Sequence, residues 1–327
     1  ISINMEITRS TIDQVKEDVQ ENKTIKPPLT AAATLRELIA KKDSILVCPG
    51  VYDGLTARIA LQAGFDCLYM TGAGTTMSRL GMPDLGVATL NDMRENAAMI
   101  AGLDQKVPLI ADADTGFGGP LMVGRTVTQY MAAGVASLHL EDQVVNKRCG
   151  HLKNKELVDE EEYLSRIRAA VMAREQTPGD IVLIARSDGL ESLGYKSSVA
   201  RLKRAIALGA DVAFLEGIKS KDQAMRVCSD LAPTPVLLNM VHGGVTPKLS
   251  AAEAKEMGFK IIIFPGFALK AVYTGVAAAA KELKETGDMA FESTNNGSPQ
   301  DIFNVCGLKE CTQFDMAAGG KNYSKGV

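Results

Sequence analysis

After about Lys42 the chain repeats one pattern: a short apolar run, a polar or glycine-bearing stretch, then apolar positions at helical spacing. The apolar runs lie at 45–48, 67–71, 107–111, 136–140, 182–186, 212–215, 236–239 and 261–264, and they predict eight strands. They are continuous rather than alternating, as expected of strands buried on both faces of a parallel sheet. Gly64, Gly134, Gly209 and Gly258 each stand just before the next strand. A glycine there marks a helix C-terminus, because the left-handed conformation costs it little.

Eight strand-then-helix units predict an α/β fold, a (β/α)8 TIM barrel, over residues 29–290. A doubly wound sheet is the alternative, weakened because no GxGxxG follows the first strand. Helical spacing also runs from Ala31 to about Lys42. Residues 1–28 read as a polar N-terminal arm ending at Pro27-Pro28, and residues 291–327 as a C-terminal helical segment. In that segment 292–299 is a linker, 300–305 and 311–317 are helical, 319–327 is frayed, and Ser298-Pro299 can cap and open a helix.

Composition narrows the function. A net charge of −3, 5% aromatic residues and no Trp leave no basic or base-stacking surface, so nucleic acid is not an expected partner. No apolar run approaches the roughly 20 residues that span a bilayer, and the acidic N-terminus has no apolar signal-peptide core. The six cysteines include no CxxC pair and suggest neither a disulfide scaffold nor a zinc site. A reducing, cytoplasmic setting is the expectation.

Barrel enzymes place their chemistry at the C-terminal strand ends, and the polar residues fall there. Tyr52 and Asp53 follow the first run and Thr71-Gly72-Ala73 the second. Asp112 and Asp114 follow the third, Glu141 the fourth, Arg186 and Asp188 the fifth, Glu216 the sixth and Asn239 the seventh. Each alone could be a cap or a structural ion pair; seven such ends together point to a site. Asp84, Asp112, Asp114 and Glu141 are hard oxygen donors suited to Mg2+ or Mn2+. Three histidines with no paired spacing disfavour zinc. Thr71-Gly72-Ala73-Gly74 offers backbone N–H groups to a carboxylate or oxyanion, and Arg186 can clamp a carboxylate with two parallel hydrogen bonds. In Lys147-Arg148-Cys149-Gly150-His151 two cations and a histidine flank a thiol, a field that favours thiolate. His139, inside a strand, reads as a core histidine.

These motifs, with Pro49-Gly50-Val51-Tyr52-Asp53, Leu140-Glu141-Asp142-Gln143, Ala185-Arg186-Ser187-Asp188 and Asn239-Met240, resemble the isocitrate lyase and phosphoenolpyruvate mutase superfamily. The cysteine loop resembles that of its carbon–carbon lyases. The resemblance implies that Asp112 contacts the metal most directly, while Asp84, Asp114 and Glu141 mostly hold its waters. It implies a small dicarboxylate substrate, cleaved beside a 2-hydroxy carbon, with Cys149 as general acid and Lys147 and His151 ordering its loop. Thr71, Gly72, Ala73, Asp84, Arg186, Glu216, Asn239 and Pro265 are the expected substrate contacts. Tyr52, Glu141 through water, and Asp114 stay open as the base. The eighth helix is expected to be exchanged between subunits of a homo-oligomer, a dimer of dimers.

Within the superfamily the resemblance is to the branch of 2,3-dimethylmalate lyases and oxaloacetate hydrolases. The hydrolases carry serine where this chain has Pro265, which favours a lyase of 2-alkylmalates over an oxaloacetate acetylhydrolase. Phosphoryl transfer, as in the mutase branch, is disfavoured by Cys149. Close relatives often have an acidic residue at the position of His242, a departure that bears on the outer pocket.

Overall fold

A computed structural model describes residues 30–289, 298–323 and 326. The arm expected at 1–28 and most of the linker expected at 292–299 lie outside the described residues. The description opens with α1 (Ala31–Ala40), capped by the Thr30 hydroxyl, which accepts from the Ala33 N–H at 3.2 Å.

The repeating units follow: β1 (Leu46–Val51) with α2 (Gly54–Gln62), then β2 (Leu68–Met70) with α3 (Gly72–Leu80) and α4 (Leu90–Ala101). Next come β3 (Leu109–Asp112) with α5 (Pro120–Ala132), β4 (Ser137–Leu140) with α6 (Glu160–Gln176), and β5 (Val182–Ser187) with α7 (Gly194–Ala207). Last are β6 (Val212–Leu215) with α8 (Lys221–Leu231), β7 (Val236–Asn239) with α9 (Ala251–Glu256), and β8 (Ile261–Phe264) with α10 (Gly266–Thr286). The strands form a closed barrel in sequence order, and β8 pairs in parallel with β1, which rules out an open doubly wound sheet. Gly64 and Gly134 take φ of 81° and 78°, the left-handed turns their positions predicted.

Strand boundaries moved where packing overrode the apolar pattern. β1 runs on through Pro49 and Gly50 because the chain there lies against β8: a Cβ on Gly50 would sit 2.6 Å from the Phe264 carbonyl oxygen and from Pro265. β3 reaches Asp112, which pairs in register with His139 of β4.

The barrel floor is closed by α1. Its Leu35 and Ile39 join the interior cluster of Leu46, Val182, Val212 and Ile261, residues near the strand starts. Arg36 holds it in place, with Nε 2.8 Å from Asp180 and Nη1 2.9 Å from Asp211, just before β5 and β6. With the floor sealed, the mouth is the open end. A second, larger cluster packs between strands and helices.

α10 differs from the other barrel helices. Ala268 is its only buried residue, and Tyr273 and Val276 are 76% and 61% exposed. Beyond it, α11 (Pro299–Val305) packs on α2 and is followed by α12 (Leu308–Ala317). Ser298 caps α11, with Pro299 opening it. Among the described residues no helix is long and apolar enough to cross a membrane, and all six cysteines are free.

Candidate active site

The strand ends meet in a cavity of about 150 Å³. Its walls are Tyr69, Thr71, Ala73, Asp84, Asp112, Cys149, Gly150, His151, Arg186, Glu216, Asn239, Val241, Pro265, Gly266 and Leu269. Of the expected site residues, Tyr52, Gly72, Asp114, Glu141 and Lys147 do not line it. Tyr52 lies beneath α3, where a Cβ on Gly74 would be 2.7 Å from its ring. Tyr69, Val241 and Leu269 are wall residues that sequence reasoning missed. Tyr69 is an inward position of β2 in an apolar run, and Leu269 is four residues past Pro265 on a helix turn; neither carries a chemical signal in sequence.

The Thr71-Gly72-Ala73 stretch is the first turn of α3. The Gly72 N–H donates to Asp112 Oδ2 at 3.2 Å and the Gly74 N–H to the Thr71 hydroxyl at 3.3 Å. A Cβ on Gly72 would collide with the Asp112 carboxylate, so the glycine permits this approach. Ala73 lines the cavity in the first turn of α3, where backbone N–H groups lack intrahelical acceptors.

Asp112 Oδ1 accepts from the Asp114 N–H at 2.9 Å. Burial opposes ionisation of Asp112, but His139, Lys147, Arg186 and that N–H bring its carboxyl down to about 2. Asp114 sits at φ 48°, in the left-handed region that asparagine and aspartate tolerate best. Burial pushes its carboxyl up to about 7; Lys147 opposes this, and Asp112 and Asp84 add to it. Lys147 Nζ lies 2.6 Å from Asp84 and 2.5 Å from Asp114. Burial disfavours its ammonium, yet the surrounding carboxylates more than offset that and hold it charged.

Arg186 was expected to clamp a carboxylate through two parallel hydrogen bonds, with a salt bridge in the barrel mouth as the alternative. Its Nε and Nη2 bond the two oxygens of Asp188 at 2.9 and 3.2 Å, and Nη1 pairs with Glu141 at 3.0 Å. Glu141 is fully buried and its Oε1 has no partner among the described residues. Burial drives its carboxyl well above the ordinary range, against the pull of Arg186 and Lys147. Behind this layer Asp142 receives the Ser187 hydroxyl at 2.7 Å, the Asp188 N–H at 2.8 Å and Arg201 at 3.0 Å, a buried brace between β4 and β5.

The cysteine loop is folded down over the mouth. Its base is closed by a bridge between Gln143 and Leu157. The Gln143 amide bonds both the carbonyl and the N–H of Arg148, at 2.9 and 3.0 Å. The Cys149 N–H donates to the Asp84 carbonyl at 3.1 Å, and Lys155 holds the Gly150 carbonyl at 2.6 Å. A Cβ on Gly150 would be 2.6 Å from Arg186 Nη2 and 2.8 Å from Glu216, so only glycine lets the loop seat this closely. His151 then lies 3.3 Å from Asn239 Nδ2, which donates to Glu216 at 2.8 Å.

The thiolate expected from sequence is not what this loop favours. Burial pushes the Cys149 thiol up to about 11, and Asp84 adds to that. Arg148 is exposed and Lys147 is occupied by two carboxylates, so the flanking cations do not prevail. The sulfur is therefore a protonated donor at neutral pH.

The donor set suits a hard cation. Asp84, Asp112, Asp114, Glu141, Asp188 and Glu216 are buried around two buried cations, Lys147 and Arg186, and Glu141 Oε1 is orphaned. Among the described residues no three His, Cys, Asp or Glu side chains gather closely enough to enclose an ion by themselves. A Mg2+-like ion, which keeps much of its water, needs one or two direct carboxylates. His242 is exposed and lies outside the cavity, in an adjoining groove with Met77, Val241 and Phe267.

Residues 35–284 match the family described as phosphoenolpyruvate phosphomutase. The chain is 41% identical over 239 residues to 2,3-dimethylmalate lyase of Eubacterium barkeri, covering 72% of this chain and 80% of that protein. It is 39% identical over 253 residues to 2-methylisocitrate lyase of Aeropyrum pernix, covering 77% and 80%. Among solved structures it resembles a 2,3-dimethylmalate lyase of the PEP mutase/isocitrate lyase superfamily, with TM-score 0.89, 55% identity and coverage of 92% and 99%. It also resembles an oxaloacetate acetylhydrolase bound to 3,3-difluorooxalacetate, with TM-score 0.87, 51% identity and coverage of 90% and 99%.

Proposed function

The chain belongs to the phosphoenolpyruvate phosphomutase family and is a lyase of that superfamily, and from this premise we propose that it cleaves the C2–C3 bond of a 2-alkylmalate such as 2,3-dimethylmalate. The observation that carries the reading is the half-buried Cys149 thiol on the wall of a cavity that also carries apolar side chains. Val241, Pro265 and Leu269 give the wall apolar surface, which suits alkyl substituents. Asp112, Arg186, Glu216 and Asn239 give it polar groups, which suit carboxylates and a hydroxyl.

Asp112, on the cavity wall with its carboxyl held down to about 2, would hold Mg2+ or Mn2+, with Asp84, Asp114 and Glu141 on its waters. Bound there, the ion supplies Lewis-acid charge beside the C2 oxygen and lowers the pKa of the hydroxyl. The chain's own groups do the rest. The Ala73 N–H and the remaining N–H groups of Arg186 orient the carboxylates. The hydroxyl proton passes to Glu141, a buried carboxylate paired with Arg186 and with Oε1 left without a partner among the described residues; Glu141 does not line the cavity, so a water carries the proton. As the C2 oxygen becomes a carbonyl, the C2–C3 bond breaks and its electron pair moves into the C3 carboxylate as an enediolate. Cys149 donates its S–H proton to C3, and solvent later restores the thiol. The products are a 2-oxo acid and a saturated carboxylate. The closed loop excludes water that would otherwise quench the carbanion.

Hydrolysis of oxaloacetate is the second reading, because a hydrolase of known structure is nearly as similar. Pro265 weighs against it: it stands in the wall and has neither hydroxyl nor N–H to offer a hydrated ketone. For α10, with a single buried residue, we assign a second copy of this chain as its cover, in a homo-oligomer. A panel of 2-alkylmalates, 2-methylisocitrate and oxaloacetate, assayed for 2-oxo acid release with Mg2+ and with Mn2+, tests the function. Fastest turnover on an alkylmalate is expected; oxaloacetate outpacing every alkylmalate would overturn it.

A further inference from the structure

His139 is fully buried in the middle of β4 and no catalytic step uses it. Its ring stacks on Tyr69, at 5.8 Å and 23°, and meets Phe214 edge-on at 5.6 Å. Nε2 is 3.1 Å from the Tyr69 hydroxyl. Nδ1 has no hydrogen-bond partner among the described residues and faces Asp112 Oδ1 at 3.5 Å. That separation is long for a hydrogen bond, yet chemistry permits one arrangement of a neutral ring. A carboxylate cannot donate, so a bare Nδ1 lone pair opposite it would be repelled. Nδ1 therefore carries the proton, and the Tyr69 hydroxyl donates to Nε2.

We propose that His139 is a positioning residue for Asp112, with Tyr69 fixing its tautomer so that an Nδ1–H always faces the carboxylate. Asp112 is thus oriented on three sides, by the Gly72 N–H, the Asp114 N–H and the His139 ring. It then presents its remaining lone pairs to the cavity without rotating. The proposal rests on the reading of Asp112 as the nearest metal ligand. Partners that orient a ligating carboxylate are typically worth about 10–100-fold in metal affinity.

Mn2+ binding followed by the loss of its free-ion paramagnetic resonance signal reads this without turnover. In an Asn side chain the amide nitrogen takes the place of Nδ1, whereas in Gln it takes the place of Nε2. His139→Asn should bind Mn2+ nearly as the parent does, and His139→Gln about tenfold or more weakly. Tyr69→Phe, a milder change that keeps the ring packing, should also weaken binding, by less than His139→Gln. Equal affinity in the Asn and Gln variants, or an unchanged affinity in Tyr69→Phe, would overturn the positioning role while leaving the metal site standing. A parent protein that takes up no Mn2+ would remove the metal site and the positioning role together.

Discussion

Lys147 Nζ lies 2.6 Å from Asp84 Oδ1, and this ion pair, with the Cys149 N–H on the Asp84 carbonyl, fastens the cysteine loop after β4 to the loop between α3 and α4. Both side chains are buried. The thiol-bearing loop therefore cannot lift without separating two desolvated charges. Closure of the site and neutralisation of its carboxylates are the same event.

Lys147→Ala should unseat the loop. Removing one partner of a buried pair leaves the other uncompensated, at a cost of about 3–5 kcal/mol, and here both Asp84 and Asp114 lose their cation. Limited proteolysis should cut within 145–154, where the parent resists, and turnover should fall by about 10²-fold or more. An intact loop with near-normal turnover would contradict this role.

Chelation should abolish activity, and Mg2+ or Mn2+ should restore it. Asp112→Ala should behave like the chelated parent at any ion concentration and still fold, because the lost carboxylate belongs to the mouth and not to the apolar interior. Full activity in chelator would remove the metal from the account.

The Cys149 thiol is pushed up to about 11, so its protonated form persists at all lower pH and is lost only as pH rises through that value. Iodoacetamide at neutral pH should therefore label the exposed Cys306 and Cys311 well before Cys149. An alkaline limb assigned to Cys149 should lie near 11 in the rate profile. Preferential labelling of Cys149 at pH 7 would restore the thiolate expected from sequence.

Pro265→Ser should raise oxaloacetate hydrolysis relative to the parent, because a hydroxyl at that wall can hydrogen-bond a hydrated ketone. One such bond is worth about 1–3 kcal/mol, enough to reorder two substrates. No change in the ratio of hydrolysis to cleavage would show that position 265 does not govern the choice.

The barrel was legible because continuous apolar runs and the glycines before them record burial and turn geometry directly. Asp112, Glu216 and Asn239 were legible because polar residues at the ends of buried strands have few reasons to be there, and Cys149 because Lys147, Arg148 and His151 flank it. What was not legible depends on three-dimensional neighbours. The cations beside Cys149 looked activating, but Lys147 turns to Asp84 and Asp114. Arg186 suited a carboxylate clamp, but Asp188, two residues on, takes its fork. Tyr69 and Leu269 are wall residues only because the barrel closes, and His139 faces Asp112 only through the register of β3 on β4. The polar arm expected at residues 1–28 lies outside the described residues.

The most direct test of Cys149 as the acid of a C–C lyase is turnover of 2,3-dimethylmalate with Mg2+ in D2O, read by NMR. The account predicts pyruvate and propionate in equal amounts, with one deuterium at C2 of propionate on a single face. In Cys149→Ala turnover should fall by about 10²–10⁴-fold. Unchanged turnover in that variant, or deuterium placed without facial preference by the parent, would contradict it.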